Sequence, residues 1–213
     1  MPSAHVKDRQ FSAARCIDAF AEVARPIIRT WYPANRCIAA TRIAIQVFHS
    51  CGISAKPMVA RFFAGNQRLR DLLNQNPTPT AAETARWIAT GAMGTQIGFD
   101  DQPIVEGDDW NRHLVALVDR RWVVDASADQ VAQPWRGLVL PGVLVTRLDH
   151  PLPAHASEVR IKRPGGMLVE YGFEPKERSF RTAPDWDLGP AARMTAAMIV
   201  DAMDAELKRS QAA

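Results

Sequence analysis

One cysteine, one histidine and one aspartate carry the chemistry that this sequence is equipped to do. Cys37 stands near the start of "NRCIAATRIAIQVF", whose apolar spacing predicts a helix with Cys37 as its second residue and Asn35 as its N-cap. Unpaired N–H groups and the macrodipole at a helix start favour negative charge, so a thiol there is drawn towards thiolate, its nucleophilic form. The same N–H groups can hold the oxyanion of a carbonyl under attack. Arg36, immediately upstream, adds positive charge.

His113 and Asp125 lie in "NRHLVALVDRRWVVDASADQ", which predicts a β-hairpin: "HLVALV", a turn, then "RWVVDAS". If Asp119, Arg120 and Arg121 form the turn, Val118 faces Trp122 and Val115 faces Asp125. Side chains alternate with period 2, so the odd-numbered residues of both strands then share a face. His113 becomes the diagonal neighbour of Asp125, within reach of an imidazole–carboxylate hydrogen bond. A two-residue turn would separate them. In the paired arrangement the aspartate fixes the ring, and the ring takes the thiol proton.

Other residues compete for these roles. Asp125 could instead open a turn with Ser127, although a carboxylate directly after "WVV" needs a partner. Asp129 is the rival acid. Asn111, two residues before His113, is a candidate for orienting substrate, and Gln96, before "IGF", for an oxyanion donor. Cys16 and Cys51 read as structural. Zinc-type CxxC and HxxxH clusters are absent from the sequence, so neither a metal nor a cofactor is expected.

The elements that must position these groups follow from periodicity. Phe11, Ile17, Phe20, Val23 and Ile27 predict an amphipathic N-terminal helix ending at "WYPAN". After the Cys37 helix, Gly52 sits where a left-handed C-terminal residue belongs. "ISAKPMVARFF" predicts a strand whose proline suggests an edge or a bulge. Residues 64–109 read as an insertion, guessed to be a lid. It holds the Pro-rich "NQNPTPT", a helix opened by Thr80 and Glu83 in capping-box spacing and running to about Ala92, and the acidic "DDQPIVEGDDW". "GLVLPGVLV" and "GGMLVEYGF" predict further strands. A C-terminal helix starts near Gly189, with Pro190 suited to its first turn.

The chain has 213 residues, 47% hydrophobic and 23% charged, which suits one well-buried α+β domain. Net charge is +3, with both signs interspersed apart from "RIKR" at Arg160–Arg163. That argues against nucleic acid as a partner. Three cysteines, no apolar leader and no long uncharged apolar run point to a cytoplasmic protein with free thiols and no membrane partner.

The order Cys37, His113, Asp125 resembles the transglutaminase-like branch of the papain-like cysteine hydrolase and acyltransferase superfamily. "CIAATRIAIQVFHSCGISAKPMVARFF" resembles that family's nucleophile helix, turn and first strand. "HLVALVDRRWVVDAS" resembles its His-led strand and W-x-x-D strand. The motifs cover residues 31–63 and 110–130; Val115 replaces a frequent aromatic. The resemblance implies a nucleophile helix packed on an antiparallel sheet, with extra helices at both termini. It also implies an acyl-transfer enzyme with Cys37 as nucleophile, His113 as base and Asp125 as orienter, acting through a thioester acyl-enzyme. A hydrolase (peptidase or amidase) on a peptide, protein or small amide or thioester is the plainest form. The alternatives are transfer to an amine, as in an acyltransferase or transglutaminase, and a non-catalytic peptide- or protein-binding module. Oligomeric state is left open.

Overall fold

The computed structural model describes residues 11–32, 36–98, 112–152, 159–162, 166–187 and 189–212. They form an α+β structure around one sheet. In chain order the elements are α1 (Ala13–Trp31), α2 (Cys37–Ser50), β1 (Ala55–Gly65), α3 (Gln67–Gln75), α4 (Ala81–Ala89) and β2 (Gly94–Ile97). Then follow β3 (His113–Val118), β4 (Trp122–Asp125), β5 (Leu144–Arg147), β6 (Val159–Lys162), β7 (Leu168–Phe173) and α5 (Pro190–Ala212). Strand order is β5-β4-β3-β1-β7-β6, with β2 also on β1. Every pairing is antiparallel.

Period 2 in the strands divides the core in two. On one face Ala116, Val118 and Val124 meet Ile17, Phe20 and Ile28 of α1, Ile43, Val47 and Phe48 of α2, and Ala196, Ile199 and Met203 of α5. On the other, Met58, Ala60, Phe62, Val115, Leu117, Val123, Tyr171 and Phe173 pack with Leu138, Leu140 and Leu144. All six residues of β3 are buried, which is why this strand reads as a nearly unbroken apolar run. Phe20 and Phe48, both fully buried, meet with ring centroids 5.0 Å apart.

α1 runs through Pro26 and stops at Trp31, as "WYPAN" predicts, with Ser12 as its N-cap. Gly52 takes the left-handed conformation, φ 74°. β1 is central rather than an edge strand. However, β7 pairs only with Ala60–Gly65, so at Pro57 the registered neighbour is β3 alone. The proline's missing N–H is tolerated at this local edge.

The segment after β1 departs from expectation most. α3 was not anticipated in the sequence. α4 opens with the predicted Thr80–Glu83 capping box but ends at Ala89, short of Ala92. β2 then returns to pair with the end of β1. Asn66 fastens this unit. Its Oδ1 accepts from the Leu69 and Met93 N–H groups, and its Nδ2 donates to the Gly91 and Arg136 carbonyls. Elsewhere, "GLVLPGVLV" contributes only Leu144 and Val145, the first half of β5, and most of "RIKR" is the strand β6. No helix among the described residues is long and apolar enough to cross a membrane.

Candidate active site

Cys37 is the first residue of α2, one position earlier than expected, with Arg36 as the N-cap residue. Asn35 lies outside the described residues. The start of α2 rests on Val59 of β1 and Leu114 of β3, in a cluster of Cys37, Ile38 and Phe180. Thr41, fully buried, donates from Oγ1 to the Leu114 carbonyl at 2.7 Å. A buried hydroxyl needs such a partner, and this one pins the helix start to the start of β3. Arg36 turns to Asp185, Nη1 to Oδ2 2.7 Å, so its charge at the helix start is largely offset.

The hairpin has the three-residue turn that the pairing required. Val118 faces Trp122 and Ala116 faces Val124. Asp119 and Arg120 both adopt positive φ, 48° and 57°. His113 Nε2 donates to Asp125 Oδ2 at 2.7 Å, and both side chains are fully buried. Cys37 acts on the same imidazole, favouring its charged form. His113 thus stands between the Asp125 carboxylate, to which it is hydrogen-bonded, and Cys37, which acts on it electrostatically.

Asp125 is held from every side. Oδ2 also accepts from Tyr171 OH at 3.0 Å, while Oδ1 accepts from the Ser127 N–H at 3.0 Å and the Ser127 hydroxyl at 3.3 Å. The turn with Ser127 and the pairing with His113 are thus simultaneous rather than alternative. Burial pushes the His113 ring down, but the Asp125 carboxylate overrides it, with help from Cys37, and lifts the imidazole to about 10. Phe62 stands beside the ring, centroids 5.1 Å apart.

Two of these partners carried no assignment from sequence. Tyr171 belongs to β7, beyond β1 from the hairpin. Gln130 lies in a 3₁₀ turn, Ala128–Val131, and its side-chain amide N–H donates to His113 Nδ1 at 2.9 Å. The only local clue to Gln130 is the D-x-S turn that sends the chain back after Asp125.

Other expected roles dissolve. Asp129 is not the acid: it pairs with Arg25 at 2.5 Å and Arg29 at 2.6 Å, tying its turn to α1. Gln96 pairs with Phe63, on the sheet face opposite Phe62 and His113. It lines an apolar groove of about 280 Å³ with Phe63, Leu69, Leu73, Trp87 and Ile88. That position is four residues, roughly 13 Å, along β1 from Val59, so Gln96 does not serve a carbonyl at Cys37. Asn111 lies outside the described residues. Cys16 is buried in the α1/α2 core, and Cys51 packs against it. This contact and burial hold the Cys51 thiol above its ordinary value. Among the described residues no cluster of three or more His, Cys, Asp or Glu side chains is placed to hold a metal.

In comparison with known proteins, no family model, no curated protein and no solved structure matches this chain.

Proposed function

We propose that this chain is a cysteine-dependent acyl-transfer enzyme of transglutaminase-like type, in its plainest form a peptidase or amidase. The observation that carries this is the buried His113–Asp125 pair, with Cys37 at the start of α2 acting on the same ring. Each link has a chemical consequence. Asp125 makes His113 a strong base inside the protein, and the base faces a thiol at a helix N-terminus. The proton passes from Sγ to the ring, and the thiolate attacks an amide or thioester carbonyl. First-turn N–H groups of α2 stabilise the oxyanion. His113 then protonates the leaving amine or thiol, and water releases the acid from the thioester. An amine in place of water gives acyl transfer with the same groups. No cofactor enters these steps. A nucleophilic thiol must stay reduced, which favours the cytoplasm.

One observation favours a non-catalytic binding module instead: Cys37 is only 9% exposed, beneath Phe180. The pH dependence of iodoacetamide alkylation, mapped for each cysteine in wild type and His113→Ala, separates the two. The enzyme requires Cys37 to react fast below pH 7 and to lose that advantage in H113A. Alkylation of Cys37 no faster than at Cys16 or Cys51 overturns the assignment.

A further inference from the structure

The imidazole of His113 has two nitrogens and three neighbours. Nε2 is committed to Asp125 at 2.7 Å and Nδ1 meets Gln130 at 2.9 Å, so a proton passing from Cys37 to the ring can land only on Nδ1. A ring nitrogen offers one in-plane site, either a proton to donate or a lone pair to share. Gln130 and Cys37 therefore compete for it. An amide N–H on Nδ1 can only meet the lone pair, which is the state in which Cys37 still holds its proton.

We propose that Gln130 is a positioning residue that latches His113 with Nδ1 unprotonated and restrains proton transfer from Cys37 until the amide is displaced. This deepens the acyl-transfer assignment and rests on it for its role in catalysis, though the hold of Gln130 on Nδ1 stands on geometry alone. Gln130 is well placed to act as a latch. Its backbone N–H donates to the Ser127 carbonyl at 3.0 Å, and Ser127 is itself clasped to Asp125. The half-buried side chain thus springs from the same turn that orients the carboxylate. Among the described residues, the charged and titratable groups around the ring are few. Asp125 faces it from β4 and Cys37 from α2, and Tyr171 of β7 acts through Asp125. The Arg112–Glu174 pair at 3.2 Å and the Arg36–Asp185 pair at 2.7 Å lie beyond them. Of these, Asp125 draws the proton onto the ring, and the Gln130 N–H works against it.

One neutral hydrogen bond shifts such an equilibrium by about a factor of five. Gln130→Leu removes donor and acceptor at similar size, and Gln130→Met does so with a more adaptable side chain if Q130L folds poorly. In either variant the acid limb of Cys37 alkylation moves down by about 0.7 pH unit, about five-fold faster at a given pH, with the plateau unchanged. The second readout does not depend on Cys37 being a nucleophile. In a Cys37→Ser background, the ¹⁵N titration of His113 moves up by a similar amount when Gln130 is replaced. Unmoved profiles make Gln130 merely structural and overturn the proposal. A shift in the opposite sense means that the amide oxygen, not the N–H, meets Nδ1, and overturns it equally. If the His113 titration moves as expected while Cys37 alkylates slowly at all pH values, the latch stands and the enzyme assignment falls.

Discussion

Replacing Asp125 with Asn separates the charge of this carboxylate from its shape. The amide fits the same space and still offers one acceptor oxygen to the ring, Tyr171 or Ser127, but it no longer favours a charged imidazole. His113 is fully buried and stands at about 10 against an ordinary 6.5. A histidine raised in the folded state contributes stability that is fully present below pH 6.5. That contribution is lost as the pH climbs towards 10. From pH 6.5 to 9.5 the loss is three pH units at about 1.4 kcal/mol each, so about 4 kcal/mol. Cys37 still favours the charged ring in the variant, which makes this figure a ceiling. In D125N burial dominates the ring, and this slope largely disappears. The stability difference between wild type and D125N is therefore largest near pH 6 and narrows towards pH 9.5 by up to about 4 kcal/mol. Urea unfolding of both proteins at the two pH values measures it, and groups common to both cancel in the difference. A cost that stays the same, within about 1 kcal/mol, would refute the reasoning. Asp125 would then be only a hydrogen-bonding hub, and the raised His113 would have to owe its proton to something else.

Two further substitutions test the division of labour around the site. Asp129→Asn breaks the nearly buried pair with Arg25 and the half-exposed one with Arg29, and should cost about 3 kcal/mol in urea unfolding. It should leave the pH profile of Cys37 alkylation in place, because Asp129 does not touch His113; a shifted profile would reinstate it as a rival acid. Asn66→Ala removes the α3 N-cap and two amide-to-carbonyl bonds. It should cost about 2 kcal/mol and speed hydrogen exchange in α3, α4 and β2, leaving β3 and β4 protected. Equal loss of protection in both regions would show that the insertion is no separate unit.

The hairpin was legible because its register is set locally. Turn length decides which residues share a face, and "DRR" between two apolar runs offered the three-residue turn that the structure has, with a two-residue turn as the alternative. Asp125 prevailed over Asp129 for the same reason: β4 ends at Asp125, and Asp129 falls in the turn beyond, where α1 supplies arginines. Cys37 was off by one helical position, since helix starts are poorly marked where the cap is arginine. Gln96 stands apart from Cys37 by its distance along β1, and "GTQI" is too short to announce the strand that sets that distance. Tyr171 and Gln130 were out of reach for a different reason. "GGMLVEYGF" says strand, but nothing local says that this strand lies beside β1, facing a carboxylate 46 residues upstream. Such contacts belong to the strand order, which no single segment encodes.

That strand order also explains why the site is precise. Each of its parts refers to β3 by an independent tie. α2 is tied through the Thr41 hydroxyl on the Leu114 carbonyl, and β4 through the Val118–Trp122 register. β1 is paired to β3 from Ala55 to Ala60, and through β1 comes β7 with Tyr171. A strand buried on both faces has no freedom to shift its register without exposing apolar side chains or burying unpaired backbone groups. The imidazole that opens it inherits that rigidity. A thiol, a carboxylate and an amide from three other parts of the chain then meet at one ring with little left to adjust, which is what a proton relay over hydrogen-bond distances demands. The one histidine at the head of an otherwise apolar strand is thus the position from which the remaining site residues can be sought, outward along the elements that touch it.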